Sequence, residues 1–250
     1  MTPGVAILLA AAGVLAGAAG TAGGITSLIS YPALLAVGLG VVRADVTNIV
    51  AGVACWPGSA IASSPELVGR SRWTLRWGLL AASAGAAGSL LLISTPAGAF
   101  DRIVPFLLCA AAATLVFQPR LSALHRGGEG VGRQLLQPAG VASIAVYDGY
   151  FGAGSGVMML ALMLVTSDAH LPRANALKNM LIGAATAAGA LVFAVTGRVD
   201  WAAAGLLGAG MFVGAGMGPA VARRVPADLL RWVVALTGVG LAVWIWMAPS

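Results

Sequence analysis

Charge is what this chain has least of. Only 9% of its 250 residues are Asp, Glu, Lys or Arg, against roughly 25% in a soluble domain. That scarcity excludes an ordinary water-facing surface. No stretch is both long and polar, which excludes a separate soluble catalytic module. There are two cysteines, Cys55 and Cys109, both inside apolar segments and without C-x-x-C spacing. They read as packing residues, not as a redox pair or metal ligands. The two histidines, His125 and His170, fall in polar loops, so no metal-ligand cluster is expected. Ser-His, H-E-x-x-H and paired-carboxylate arrangements are missing too, which argues against an enzyme and against a cofactor. The formal charge of +6 comes from arginines in short gaps between apolar runs, with Lys178 the single lysine. Membrane topology accounts for these charges better than nucleic-acid binding does.

What the chain has is apolar length. Hydrophobic residues make up 59% of it, the mean hydropathy is +0.94, and apolar runs recur along the whole sequence. One cleaved leader or one anchor cannot account for that pattern, which predicts an all-α polytopic membrane protein. The first run, residues 5–40, would measure roughly 54 Å as one helix, against a hydrocarbon core of about 30 Å. It must therefore break. The Gly20-Thr21-Ala22-Gly23-Gly24 stretch is the predicted break, leaving two pieces of about 15 residues each. Segments near 45–65, 73–98 and 101–119 follow. After a polar linker at 120–134 the same order returns: a split run over 135–165, then 174–196, 201–222 and 228–248. The expected organisation is a membrane repeat over 1–119, a cytoplasmic linker over 120–134 and a second repeat over 135–250, each repeat holding five apolar segments.

Basic residues collect in cytoplasmic loops, so they test how the split runs count. With two passes for each, Arg70, Arg72, Arg76, Arg120, Arg126, Arg133, Arg173, Lys178, Arg223, Arg224 and Arg231 fall on one side. Arg43, Arg102 and Arg198 fall on the other. Counting each run as a single crossing erases the bias. The uneven count predicts a cytoplasmic linker and both termini outside; a full span and a re-entrant hairpin share this parity, and the short pieces favour the hairpin.

The halves also match each other. Gly17, Gly20 and Gly24 align with Gly149, Gly152 and Gly156; Arg43-Ala44 with Arg173-Ala174; Asn48 with Asn179; and Gly69, Trp73 and Gly88 with Gly197, Trp201 and Gly216. With an odd number of passes per half, equivalent elements point in opposite directions. Two inverted repeats with Gly-interrupted helical hairpins in corresponding places point to a secondary transporter and its substrate site. The glycine spacings of 208 to 218 and 83 to 88 read as tight helix packing, and Trp73, Trp77, Trp201, Trp244 and Trp246 as interface anchors.

The pattern Gly17-x-x-Gly20-x-x-Gly23-Gly24 followed by Pro32, repeated as Gly149-x-x-Gly152-x-Gly154-x-Gly156, resembles the sulfite exporter TauE/SafE family of bacterial permeases. The likeness covers nearly the whole chain. It differs in Thr21, Ala22 and Ser155 within the glycine runs and in lacking a second-half counterpart of Pro32. The resemblance implies a multi-pass protein of the bacterial inner membrane that moves sulfite, a sulfonate or a related organosulfur or carboxylate anion, coupled to an ion gradient. The competing readings are an anion channel and an accessory membrane subunit with no transport of its own.

A helix beginning in mid-membrane presents unpaired N–H groups and a positive dipole end, which suits an anion stripped of water. Gly20, Gly23, Gly24, Gly152, Gly154, Ser155 and Gly156 are the candidate substrate-binding residues at these breaks, with Asn48 and Asn179 as amide donors. Bracing the broken hairpins is the competing role for both asparagines. Asp148 lies beside Tyr147, just before the second glycine run. A carboxylate at that depth is either a proton or cation coupling residue or a brace for the break. Lys178 is read as either an interface cation that snorkels or an anion contact. The expected partners are a small anion, bilayer lipid, a coupling proton or cation and a second copy in a homodimer, with no nucleic acid.

Overall fold

The computed structural model describes residues 2–96, 98–100, 102–107, 109, 113, 131–168, 170–196 and 199–222. Among these residues all regular structure is helical. The elements are α1 (Pro3–Gly23), α2 (Thr26–Ala36), α3 (Val41–Gly52), α4 (Cys55–Ala62), α5 (Ser64–Leu67), α6 (Ser71–Ser94), α7 (Val131–Tyr150), α8 (Ser155–Thr166), α9 (Leu171–Thr196) and α10 (Trp201–Ala222). Most of the expected 120–134 linker, the 228–248 segment and Trp244 and Trp246 lie outside the described residues.

Among the described residues, four helices are long and apolar enough to cross a membrane: α1, α6, α9 and α10. Large apolar residues point outward along them, with Ile7, Leu75, Leu79, Leu191 and Val195 all exposed. The interior instead holds Asp45, Asn48, Asp148, Lys178 and Asn179, all buried. Water would penalise both halves of that arrangement, whereas hydrocarbon around the outside stabilises it.

The first split run breaks where the glycines lie, but unequally. Instead of two pieces of about 15 residues, α1 has 21 and α2 has 11, roughly 32 Å and 17 Å long. The second run divides the same way, with 20 residues in α7 and 12 in α8. Each hairpin thus has one arm of membrane length and one short arm. The expected 45–65 helix is itself broken after Gly52, where the chain turns and restarts at Cys55 as α4.

Small residues bring the long arms into contact. A Cβ at Gly210 or Gly214 of α10 would collide with the backbone of Ala10 or Val14 in α1, and one at Gly149 of α7 with that of Gly85 in α6. Helices this close pack through dispersion and backbone contact, which lipid does not disfavour. The first hairpin's long arm therefore rests on α10, and the second hairpin's on α6.

Ion pairs fix which loop ends are neighbours. Arg43 pairs with Asp200 at 3.1 Å at one end; Arg70 pairs with Asp168 at 2.7 Å, with Arg173 3.9 Å from the same carboxylate, at the other.

Candidate functional site

The two breaks meet. Gly24 ends α1 in the left-handed conformation at φ 83°, and its N–H closes on the Gly20 carbonyl at 2.7 Å. Gly152 and Gly154 adopt φ 79° and 81° between α7 and α8. Such values are cheap only for glycine. A Cβ on Gly156 would lie 2.6 Å from the Gly24 Cα, so the two turns touch backbone to backbone. Neither short arm has a side-chain hydrogen bond capping its N-terminus. Two helix N-termini therefore start side by side in the interior, each a positive dipole end, with the Ser155 and Val157 N–H groups of α8 donating to the carbonyls of Gly152 and Gly154.

Beside them is a cavity of about 70 Å³. Gly20, Gly24, Asn48, Gly152, Ser155, Gly156, Lys178, Asn179 and Asp148 from the sequence-derived set line it. Gly23, Gly154 and Tyr147 do not. Gly23 lies in the last turn of α1 with open space beside it, Gly154 is the N-cap of α8, and the Tyr147 hydroxyl donates to the Ala153 carbonyl at 2.6 Å. About 10–15 Å³ of such volume holds one water, so this space suits a small ion with some hydration, far below the 300–1,000 Å³ of drug-sized sites.

The polar lining is internally bonded. Asp148, 4% exposed, accepts from the Ser155 hydroxyl through one oxygen and from Thr186 at 2.8 Å through the other. It ties the end of α7 to the start of α8 and to α9. Asn48 is an acceptor, taking the Ser30 hydroxyl of α2. Lys178 does not snorkel: at 1% exposure it is among the most buried side chains, and its Nζ donates to the Gly20 carbonyl at 3.0 Å. Asn175 and Asn179 donate to the Thr21 carbonyl at 2.8 and 3.4 Å. One face of α9 thus supplies three side-chain donors to the last carbonyls of α1, and a cation there also complements the negative dipole end.

Sequence reasoning missed Thr186, Asn175 and Asp45. It also assigned Cys55 to packing, whereas Cys55 lines the cavity. Helices that are apolar on every side give no periodic signal of which face is interior, so these residues carried no mark of their position.

An apolar helical body enclosing a polar cavity between two helix breaks belongs to the class of membrane transport proteins. The family model for sulfite exporter TauE/SafE matches residues 5–245, and the chain belongs to that family. It is 27% identical over 213 residues to a probable membrane transporter protein of Haemophilus influenzae, covering 84% of this chain and 82% of that one. To the probable membrane transporter protein YfcA of Escherichia coli K12 it is 26% identical over 226 residues, 89% of this chain and 82% of that one. The probable membrane transporter protein ORF9 of a Sinorhizobium species is 24% identical over 223 residues, 89% and 85% of the two chains. No solved structure matches this chain.

Proposed function

We propose that this protein is a secondary transporter that moves a small anion, such as sulfite, a sulfonate or a related organosulfur or carboxylate anion, across the bacterial inner membrane. The observation that carries this reading is the meeting of the uncapped α2 and α8 N-termini at a small buried cavity that also holds Lys178. Two positive dipole ends and one ammonium replace the water an anion gives up on entering. One of the three Lys178 donors is used by Gly20, and an anion would compete for the others. Asp148, which lines the cavity, is the coupling residue of this reading, and Tyr147, which lies outside the lining, braces the break beside it through the Ala153 carbonyl.

The reciprocal packing of the hairpins supports an inverted repeat of residues 1–119 and 135–250. The long arm of each rests on the last long described helix of the other half, α1 on α10 and α7 on α6. Rocking of one repeat against the other about the paired breaks would expose the cavity to each side in turn.

Purified protein in proteoliposomes, tested with sulfite, sulfonates, thiosulfate and carboxylates under imposed pH gradients, is the decisive assay. Saturable flux of one anion class, driven by a gradient, is expected. Flux that does not saturate and ignores the gradient would mean a channel, and none with any anion would mean an accessory subunit.

A further inference from the structure

Asp45 is fully buried at 0% exposure, and neither of its carboxylate oxygens has a hydrogen-bond partner. It lies on α3 between Ala44 and Val46, which belong to the apolar cluster of Tyr31, Phe100 and Phe151. It does not line the cavity. It interacts electrostatically with Asp148, and Tyr147 interacts with both carboxyl groups. An ionised carboxylate there would have no compensating donor among the described residues and would oppose a second acid, Asp148.

The other half of the chain offers a comparison. The match of Arg43-Ala44 with Arg173-Ala174 pairs Asp45 with Asn175. Asn175 donates its amide to the Thr21 carbonyl at the end of α1. In the alignment of Gly17 with Gly149, the counterpart of Thr21 is Ala153, whose carbonyl is instead taken by Tyr147. A carboxyl group can imitate an amide donor only when it carries a proton.

We propose that Asp45 is a second proton-binding site, distinct from Asp148, and that the proton it holds is a coupling ion alongside the one Asp148 would carry. This rests on the reading of the protein as a coupled transporter. The O–H bond at Asp45 forms with a proton taken from water on one face of the membrane and breaks when that proton returns to water on the other. A metal cation is a poor fit, because a hard cation needs several oxygen ligands and no described oxygen is bonded to Asp45. The charged and titratable groups on the elements around α3 are Tyr31 of α2, Tyr147 and Asp148 of α7, and Lys178 and Arg173 of α9. Asp200 precedes α10 and is held by Arg43, and Arg173 and Arg102 are exposed.

Infrared difference spectroscopy of the purified protein across a pH titration tests the proposal without any need for transport. Wild type should show the carbonyl stretch of a protonated carboxylic acid. Asp45→Asn should remove a component of that band that persists, though shifted, in Asp148→Asn, and Asp45→Glu should restore that component at a changed frequency. A band left unchanged in intensity and frequency by Asp45→Asn overturns the proposal, as does the lack of any such band in wild type. If Asp45→Asn fails to fold, Asp45→Glu against wild type decides, since a band unmoved by that change is not from Asp45. In proteoliposomes Asp45→Asn should lose dependence on the pH gradient while counterflow continues at a rate within about threefold of wild type. Gradient-driven transport intact in Asp45→Asn would also overturn it, whereas absence of transport in wild type, with the band present and assigned to Asp45, would overturn only the transporter reading.

Discussion

The Nζ of Lys178 donates across 3.0 Å to the carbonyl oxygen of Gly20, joining the first third of α9 to the broken end of α1. A cation is thereby held at the place where the first helix stops, within the cavity that both hairpins share.

Substituting Lys178 should separate binding from assembly. Losing a charged hydrogen bond costs about 1.5–3 kcal/mol, so Lys178→Gln should raise the apparent KM for the anion roughly 10- to 100-fold. Lys178→Arg should fall between the two, because the larger guanidinium does not fit the space of the ammonium. Initial uptake rates in proteoliposomes, normalised to protein in the membrane, measure this; unchanged kinetics in both variants would remove Lys178 from the site.

The glycines at the two breaks should not be equivalent. Gly156→Ala forces its Cβ against Gly24, an overpacking that costs about 1–3 kcal/mol, and should lower both thermal stability and transport. Gly23→Ala meets open space and should leave both nearly unchanged. Equal tolerance at the two positions, measured by thermal unfolding in detergent and by uptake, would contradict the contact between the breaks.

Asp148→Asn should fold, since the amide oxygen still accepts one hydrogen bond from Ser155 or Thr186, yet it should lose gradient-driven transport and keep part of counterflow. Driven transport at the wild-type rate would make Asp148 a brace alone. Thr186→Val removes only one donor, worth about 1 kcal/mol, and should have a smaller effect of the same kind.

Cys55 provides a probe from inside the cavity. In a Cys109→Ser background a small charged thiol reagent should inactivate transport, and saturating anion should slow the inactivation several-fold. Labelling that anion does not slow would place Cys55 away from the permeation path.

The ion pairs divide the loops into two ends, and basic charge assigns the Arg70 end to the cytoplasm. In a cysteine-free background, Val68→Cys should resist an impermeant reagent in intact cells and Ser94→Cys should react. The reverse pattern would invert the orientation.

The sequence by itself determined the solvent and the breaks. A run of residues 5–40 with almost no charge can only be buried in hydrocarbon, and it is too long for one crossing, so it breaks where glycine allows positive φ; the structure places that break at Gly24. The close-packing role of Gly210, Gly214, Gly85 and Gly88 was legible for the same reason, because a helix with no side chain at those positions admits another backbone. The unequal arms were not legible, since α1 and α2 are both apolar throughout and nothing in composition sets how far each runs. Tertiary structure decided which face of each helix is interior, and with it the chemistry of the site. Lys178 follows Arg173 by about a turn and so reads either as an interface cation or as an anion contact, and α9 carries it against the carbonyls of α1. Asp45 carries no mark in the sequence that sets it apart, yet α3 buries it completely. The physical reason is that lipid leaves no polar side from which to infer an apolar one; only contacts between helices distant in sequence distinguish inside from outside.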